Sequence, residues 1–89
     1  MHFLEEKNRF YQKDIHGNLI SEVTFTDDGS TLILDHTFVD STYRGQGIAG
    51  KLVALVVEKA RKEGKKIIPL CSFAKKEFER KPEYQYVKK

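Results

Sequence analysis

The sequence predicts a small α/β (α+β) protein with the element order β-β-β-α-β-α and a mixed, mostly antiparallel sheet. Three observations carry that prediction. Two turn signals, Asp14-Ile15-His16-Gly17-Asn18 and Asp27-Asp28-Gly29-Ser30, separate three stretches of strand-forming residues. A strand, a loop with glycines and a helix follow one another over residues 36–63. A short apolar segment comes after that helix, and a strand reached through a helical crossover is most simply parallel to the one before it.

Taken in order, residues 4–13 are charged at first and improve as a strand around Arg9-Phe10-Tyr11-Gln12-Lys13. Residues 19–26 alternate Leu19, Val23 and Phe25 with Glu22, Thr24 and Thr26, the pattern of a half-buried antiparallel strand. In residues 31–39, Leu32, Leu34 and Phe38 alternate with Ile33, Thr37 and Val39, so both faces read as apolar and the strand is expected to be central and covered on both sides. Residues 47–63 put Ile48, Ala49, Leu52, Val53, Val56 and Ala60 at helical spacing, and Gly64 closes the helix after a basic last turn. Residues 65–70 form the short parallel strand, in which Pro69 limits hydrogen bonding. Ser72 is a suitable N-cap for a second helix running to about Arg80, and Lys81-Pro82-Glu83 stops it. Tyr84, Tyr86 and Val87 are left as a tail folding back onto the core.

Eighty-nine residues, 39% hydrophobic and 33% charged, fit one globular domain spanning 1–89 with a single core. A chain of this size buries only roughly 60% of its unfolded surface, so a ligand that binds the folded form should raise its heat stability. The net charge of +3 is mild, and the lysines are scattered as pairs without interleaved aromatics. That argues against a nucleic-acid partner. One cysteine permits no internal disulfide and no thiolate metal cluster. The N-terminal residues lack the pattern of a secretion signal, and no segment approaches the ~20 apolar residues of a membrane span. The expectation is a cytoplasmic monomer with no membrane partner and no metal.

The stretch richest in chemistry is Arg44-Gly45-Gln46-Gly47-Ile48-Ala49-Gly50. A loop poor in side chains at the start of a helix leaves backbone N–H groups pointing outward, and the helix dipole adds positive potential there. Such a terminus binds anions, phosphate above all. A Cβ at Gly45 or Gly47 would hold a phosphate off the amides or forbid a turn that needs positive φ. No Gly-Lys-Ser/Thr ending marks a Walker A loop, and the spacing Gly-x-Gly-x-x-Gly within a long βαβ series is absent. The plainer reading is that the two glycines only make a tight turn.

Arg44-Gly45-Gln46-Gly47-Ile48-Ala49 resembles the Arg/Gln-x-x-Gly-x-Gly/Ala signature of the GNAT acetyltransferase superfamily. The resemblance covers nearly the whole chain and implies a minimal GNAT-like fold, in which the strands on either side of the loop and helix splay apart around acetyl-coenzyme A. By that resemblance the pyrophosphate lies on Arg44, Gly45, Gln46, Gly47, Ile48 and Ala49, the pantetheine arm runs beside Phe38 and Val39, and the second helix adds contacts through Phe73 and Lys76. Ser41 stands where the family usually has proline. The two helices between the first strands and the C-terminal hairpin of larger members have no counterpart in the sequence. It is similar to the small branch that carries His-Thr before the loop and Cys-Ser-Phe after the second parallel strand.

Acetyl transfer to an amine needs a base, donors for the oxyanion and an acid for the leaving thiolate. Cys71 stands at the C-terminal end of the parallel strand, where open α/β sheets place ligands, and directly before a helix N-terminus. It suits a proton donor or an acyl-accepting nucleophile; its plainer reading is a small buried residue. His36 suits a general base, against the commoner structural histidine. Asp35 and Asp40 are weaker options, and His2 and His16 read as surface residues. Lys51, one turn into the helix, is a further cation within reach of a phosphate or simply an exposed lysine, and by the resemblance Arg80 on the second helix joins Phe73 and Lys76 beside the pantetheine or adenine end. Tyr84 and Tyr86 fall in no matching motif.

Three functions follow. The first is an N-acyltransferase that moves an acetyl group from acetyl-CoA to an amine, which a protein lysine or terminus or a small amine would supply. The second is a non-catalytic acetyl-CoA or coenzyme A binding module. The third is a regulatory protein that shares only the fold.

Overall fold

The computed structural model describes residues 2–89. Five strands form one sheet in the order β1-β2-β3-β4-β5: β1 (Leu4–Glu6), β2 (Arg9–Lys13), β3 (Leu19–Asp27), β4 (Thr31–Val39) and β5 (Lys66–Pro69). The first four are antiparallel to their neighbours and β5 is parallel to β4. Helices α1 (Ile48–Glu63) and α2 (Ser72–Arg80) are followed by a 3-10 segment, Pro82–Val87. This is the mixed, mostly antiparallel architecture that the sequence predicts, with one strand more.

That strand is β1, which pairs Leu4 with Tyr11 and Glu6 with Arg9. Its residues are all exposed, so no apolar alternation announces it. Cross-strand chemistry holds it instead. Arg9 Nε donates to Glu6 Oε1 at 2.6 Å and Arg9 Nη1 to Glu22 Oε1 at 2.9 Å, while the guanidinium lies 3.8 Å from the centre of the Tyr11 ring.

The core lies between one face of the sheet and the two helices. Phe10, Val23, Phe25, Leu32 and Leu34 project from the strands onto Ile48, Leu52, Val53, Val56 and Ala60 of α1. Ala74 and Phe78 of α2 complete it, with Tyr84 and Val87 from the tail. The tail therefore does fold back: the Phe78 and Tyr84 rings stand 5.3 Å apart, and Lys88 bridges to Ile67 beside β5. Tyr86 stays exposed.

The expectation that β4 is covered on both sides is corrected. Phe25 pairs with Leu34 but Thr24 with His36, so Asp35 is an extra residue on β4, a bulge. One inserted residue reverses the alternation. Thr37, opposite the fully buried Val23, now faces the core layer, and His36 and Phe38 are turned to the outer face, where both are exposed. The Asp35 carboxylate accepts the Thr24 hydroxyl at 2.5 Å and the Thr26 hydroxyl at 3.3 Å on that outer face.

Two predictions follow from this packing. Leu52 is fully buried, and Leu52→Ala should lower the unfolding free energy by about 2–5 kcal/mol in a urea titration. The β3–β4 turn is held by Asp28, whose carboxylate takes the N–H groups of Ser30 at 3.1 Å and Thr31 at 2.8 Å and is thereby kept below the ordinary aspartate range. Asp27 is likewise lowered, by Lys65 and then by the Gly29 N–H. Groups depressed in the folded state stabilise it fully above the unfolded pKa and lose that effect as pH falls towards the folded one. Stability should therefore decline between about pH 5 and pH 3, with a shallower decline in Asp28→Asn.

Candidate functional site

The parallel pairing of β4 with β5 runs from Thr31 opposite Lys66 to Leu34 opposite Pro69. There it stops. The amides of Leu70 and Cys71 both converge on the Leu34 carbonyl, at 2.9 and 3.4 Å, and α2 begins at Ser72. Beyond that point β4 continues without a neighbour on this side. Asp40 N–H donates to Ile20 O at 2.8 Å, so the alternation of an antiparallel ladder turns the peptide groups of Thr37 and Val39 the other way, towards the gap.

The gap opens into a cleft of about 460 Å³. Thr37 and Val39 form one wall and Phe73 of α2 another. Its floor is the loop into α1: Tyr43, Arg44, Gly45 and Gly47, then Ile48, Ala49 and Gly50. Gly45 and Gly47 both have positive φ, +84° and +75°. Gly47 is the N-cap of α1 and offers no side-chain acceptor to the helix, and the first amide that finds an acceptor within it is that of Lys51, bonded to Gly47 O at 3.2 Å. No acidic residue stands in the first turn. The site therefore presents free donors and an unopposed helix dipole to the cleft, the conditions for holding an anion.

Gly50 is constrained differently. A Cβ there would lie 3.2 Å from Oε1 of Glu77, a carboxylate buried between the two helices. Glu77 Oε2 pairs with Arg80, while Oε1 accepts no hydrogen bond; Lys81 Nζ is 3.5 Å from it. The small residue lets α2 close onto the first turn of α1.

Cys71 is half-buried at the N-cap of α2. Its Sγ accepts the Ala74 N–H at 3.4 Å and lies 3.8 Å from Thr37 Oγ1, which joins it to the cleft wall. Val39, Arg44, Gly45, Gly47, Ile48, Ala49 and Phe73 are brought together as the sequence leads one to expect. Gln46 and Lys76 are exposed and stand outside the lining, and Phe38 and His36 lie on the opposite face of the sheet because of the bulge. Asp35 is engaged by Thr24 and Thr26, and Asp40 caps the turn Ser41–Tyr43 through the Thr42 amide at 3.1 Å. Thr37 and Tyr43 are additions, while Gly50 closes the glycine-rich stretch that the sequence marks. Two-residue alternation from Val39 reaches Thr37, but nothing in the sequence marks the Tyr43 side chain.

Splayed parallel strands with an uncapped, glycine-led helix between them define a class of group-transfer folds. A family model for GCN5-related N-acetyl-transferases matches residues 9–87, and the chain belongs to that family. The solution structure of a GCN5-like candidate N-acetyltransferase from Staphylococcus aureus superposes with a TM-score of 0.81 at 38% identity, over 99% of this chain and 87% of that one. Two larger proteins share the fold. They are the ribosomal-protein-alanine N-acetyltransferase from Brucella melitensis (24% identity, TM-score 0.61) and a predicted acetyltransferase with acetyl-CoA from Clostridium acetobutylicum (15%, 0.59). In both, 81% of this chain is matched, and it spans 59% and 54% of their lengths.

A substitution at Gly47 tests the loop. No atom lies within 4 Å of the position a Cβ would take, so the cost of Gly47→Ala is backbone strain, about 1–2 kcal/mol, read from urea unfolding.

Proposed function

We propose that the cleft binds acetyl-CoA and that the chain moves its acetyl group to an amine acceptor. The observation that carries this reading is the pairing of free amides at 45–50 with a gap in the sheet whose Thr37 wall lies 3.8 Å from the Cys71 sulfur. The amides and the guanidinium of Arg44 hold the pyrophosphate. The outward peptide groups of Thr37 and Val39 pair with the amides of the pantetheine arm, and Phe73 covers it.

In direct transfer the amine nitrogen attacks the thioester carbonyl, the C–N bond forms, the C–S bond breaks, and the leaving thiolate takes a proton. Cys71 gives that proton. In a two-step transfer its sulfur forms the acyl bond first, coenzyme A leaves as the thiol, and the amine then displaces the cysteine. His36 serves as base for an amine that arrives over the outer face of β4, the side on which it is exposed. That position, off the cleft, also favours a second reading, a binding module without turnover.

Titration of coenzyme A into the 15N-labelled chain should shift the amides of residues 45–50 together with Thr37 and Val39; an unmoved segment would refute the binding site. Coenzyme A at about 100 times its Kd should also raise stability by about 2.7 kcal/mol. Thiol release with an amine acceptor separates the two readings, and Cys71→Ala should abolish it while the amide shifts persist. Undiminished release in that variant removes Cys71 from the chemistry.

A further inference from the structure

A larger depression, of about 620 Å³, lies on the other side of α2 from the cofactor cleft. Lys75, Phe78 and Glu79 line it, whereas Phe73 lines the cleft, so the two sites use different faces of one helix. Ile68, half-buried, is the accessible apolar side chain on the floor of this trough, with Pro69 and Phe78 buried beneath it. Its two banks are basic: Lys75 stands on α2, and Lys88 and Lys89 stand on the segment beside β5.

These three lysines form no ion pair among the described residues, unlike Lys59, which meets Glu5 and Glu63, and Lys65, which meets Asp27 and Glu63. Lys89 Nζ reaches only Thr31 Oγ1, at 3.2 Å. Glu79 is the one acidic side chain in the lining, which leaves a side-chain excess of positive charge over an apolar floor. The edge of β5 is already read in part by the chain itself: Lys89 N–H donates to Ile67 O at 2.9 Å, in parallel register. Two residues on, the Pro69 carbonyl belongs to the same outward row and takes no backbone donor among the described residues.

We propose that this trough docks an acidic, extended segment of a partner protein, with one apolar side chain on Ile68 and flanking carboxylates on Lys75 and on Lys88 with Lys89. The two lysine banks match carboxylates spaced along a backbone, and the free edge carbonyl accepts a main-chain N–H. Apolar floor and basic rim together select sequence character: charge alone would attract any polyanion, while the floor requires a side chain to fill it.

The test uses the full 89-residue chain, 15N-labelled, and the peptide acetyl-Glu-Glu-Phe-Glu-Glu-amide. Amide shifts should centre on Ile68, Lys75, Phe78 and Lys88 and leave residues 45–50 unmoved. The double variant Lys75→Glu/Lys88→Glu changes two exposed side chains and should weaken binding about tenfold or more, as should a rise in salt. A lysine-for-glutamate version of the peptide should not bind. The proposal is overturned if the peptide moves none of these amides at millimolar concentration, if the charge reversal leaves binding unchanged, or if the basic peptide binds equally. Equal binding by free acetyl-phenylalanine overturns it in favour of a small-carboxylate pocket, and equal binding by a short oligonucleotide in favour of a general polyanion surface.

Discussion

The structure depends on the place where β4 and β5 part. Up to Leu34 and Pro69 the two strands share a parallel ladder; beyond it, one bulged residue on β4 and the turn into α2 send them in different directions. Two successive amides, those of Leu70 and Cys71, crowd onto the Leu34 carbonyl and the chain then turns into α2, so the ladder ends there. The unpaired half of β4 would be a liability in a closed sheet. Here it is one wall of the cleft.

The other wall and the floor follow from the same divergence. Because α1 must cross from the end of β4 to the start of β5, its N-terminus falls beside the gap, and the glycines at 45 and 47 let the chain turn tightly into it with positive φ. That leaves the helix dipole facing the cleft with no side-chain cap and no acid in the first turn. The arrangement sacrifices the stability a Ser or Asp cap would add over glycine, roughly a few tenths of a kcal/mol, and leaves the donors free. Glu77, whose carboxylate fills the space next to Gly50, sets how close α2 can come and thereby places Cys71 and Phe73. One short helix thus faces the cleft on one side and the lysine-rimmed trough on the other.

Most of the architecture was legible because its signals are local. Turn residues at 14–18 and 27–30, alternation in residues 19–26, helical spacing from Ile48 to Ala60 and the closing Gly64 each act over a few residues. The loop 44–49 was legible for the same reason: glycine at 45 and 47 reports a backbone requirement directly. Strand β1 was not, because a three-residue exposed edge is held by cross-strand pairs to Arg9 and Tyr11 rather than by any pattern of its own.

The sequence by itself determined the order of elements after β1, the glycine turn into α1 and the presence of a lone thiol after the second parallel strand. The tertiary structure alone decided which side of the sheet each residue of β4 serves. A bulge is a property of two strands in register, set by how Phe25 meets Leu34 and Thr24 meets His36, and no count along one strand contains it. That single displaced residue brings Thr37 to the Cys71 sulfur and carries His36 and Phe38 to the opposite face.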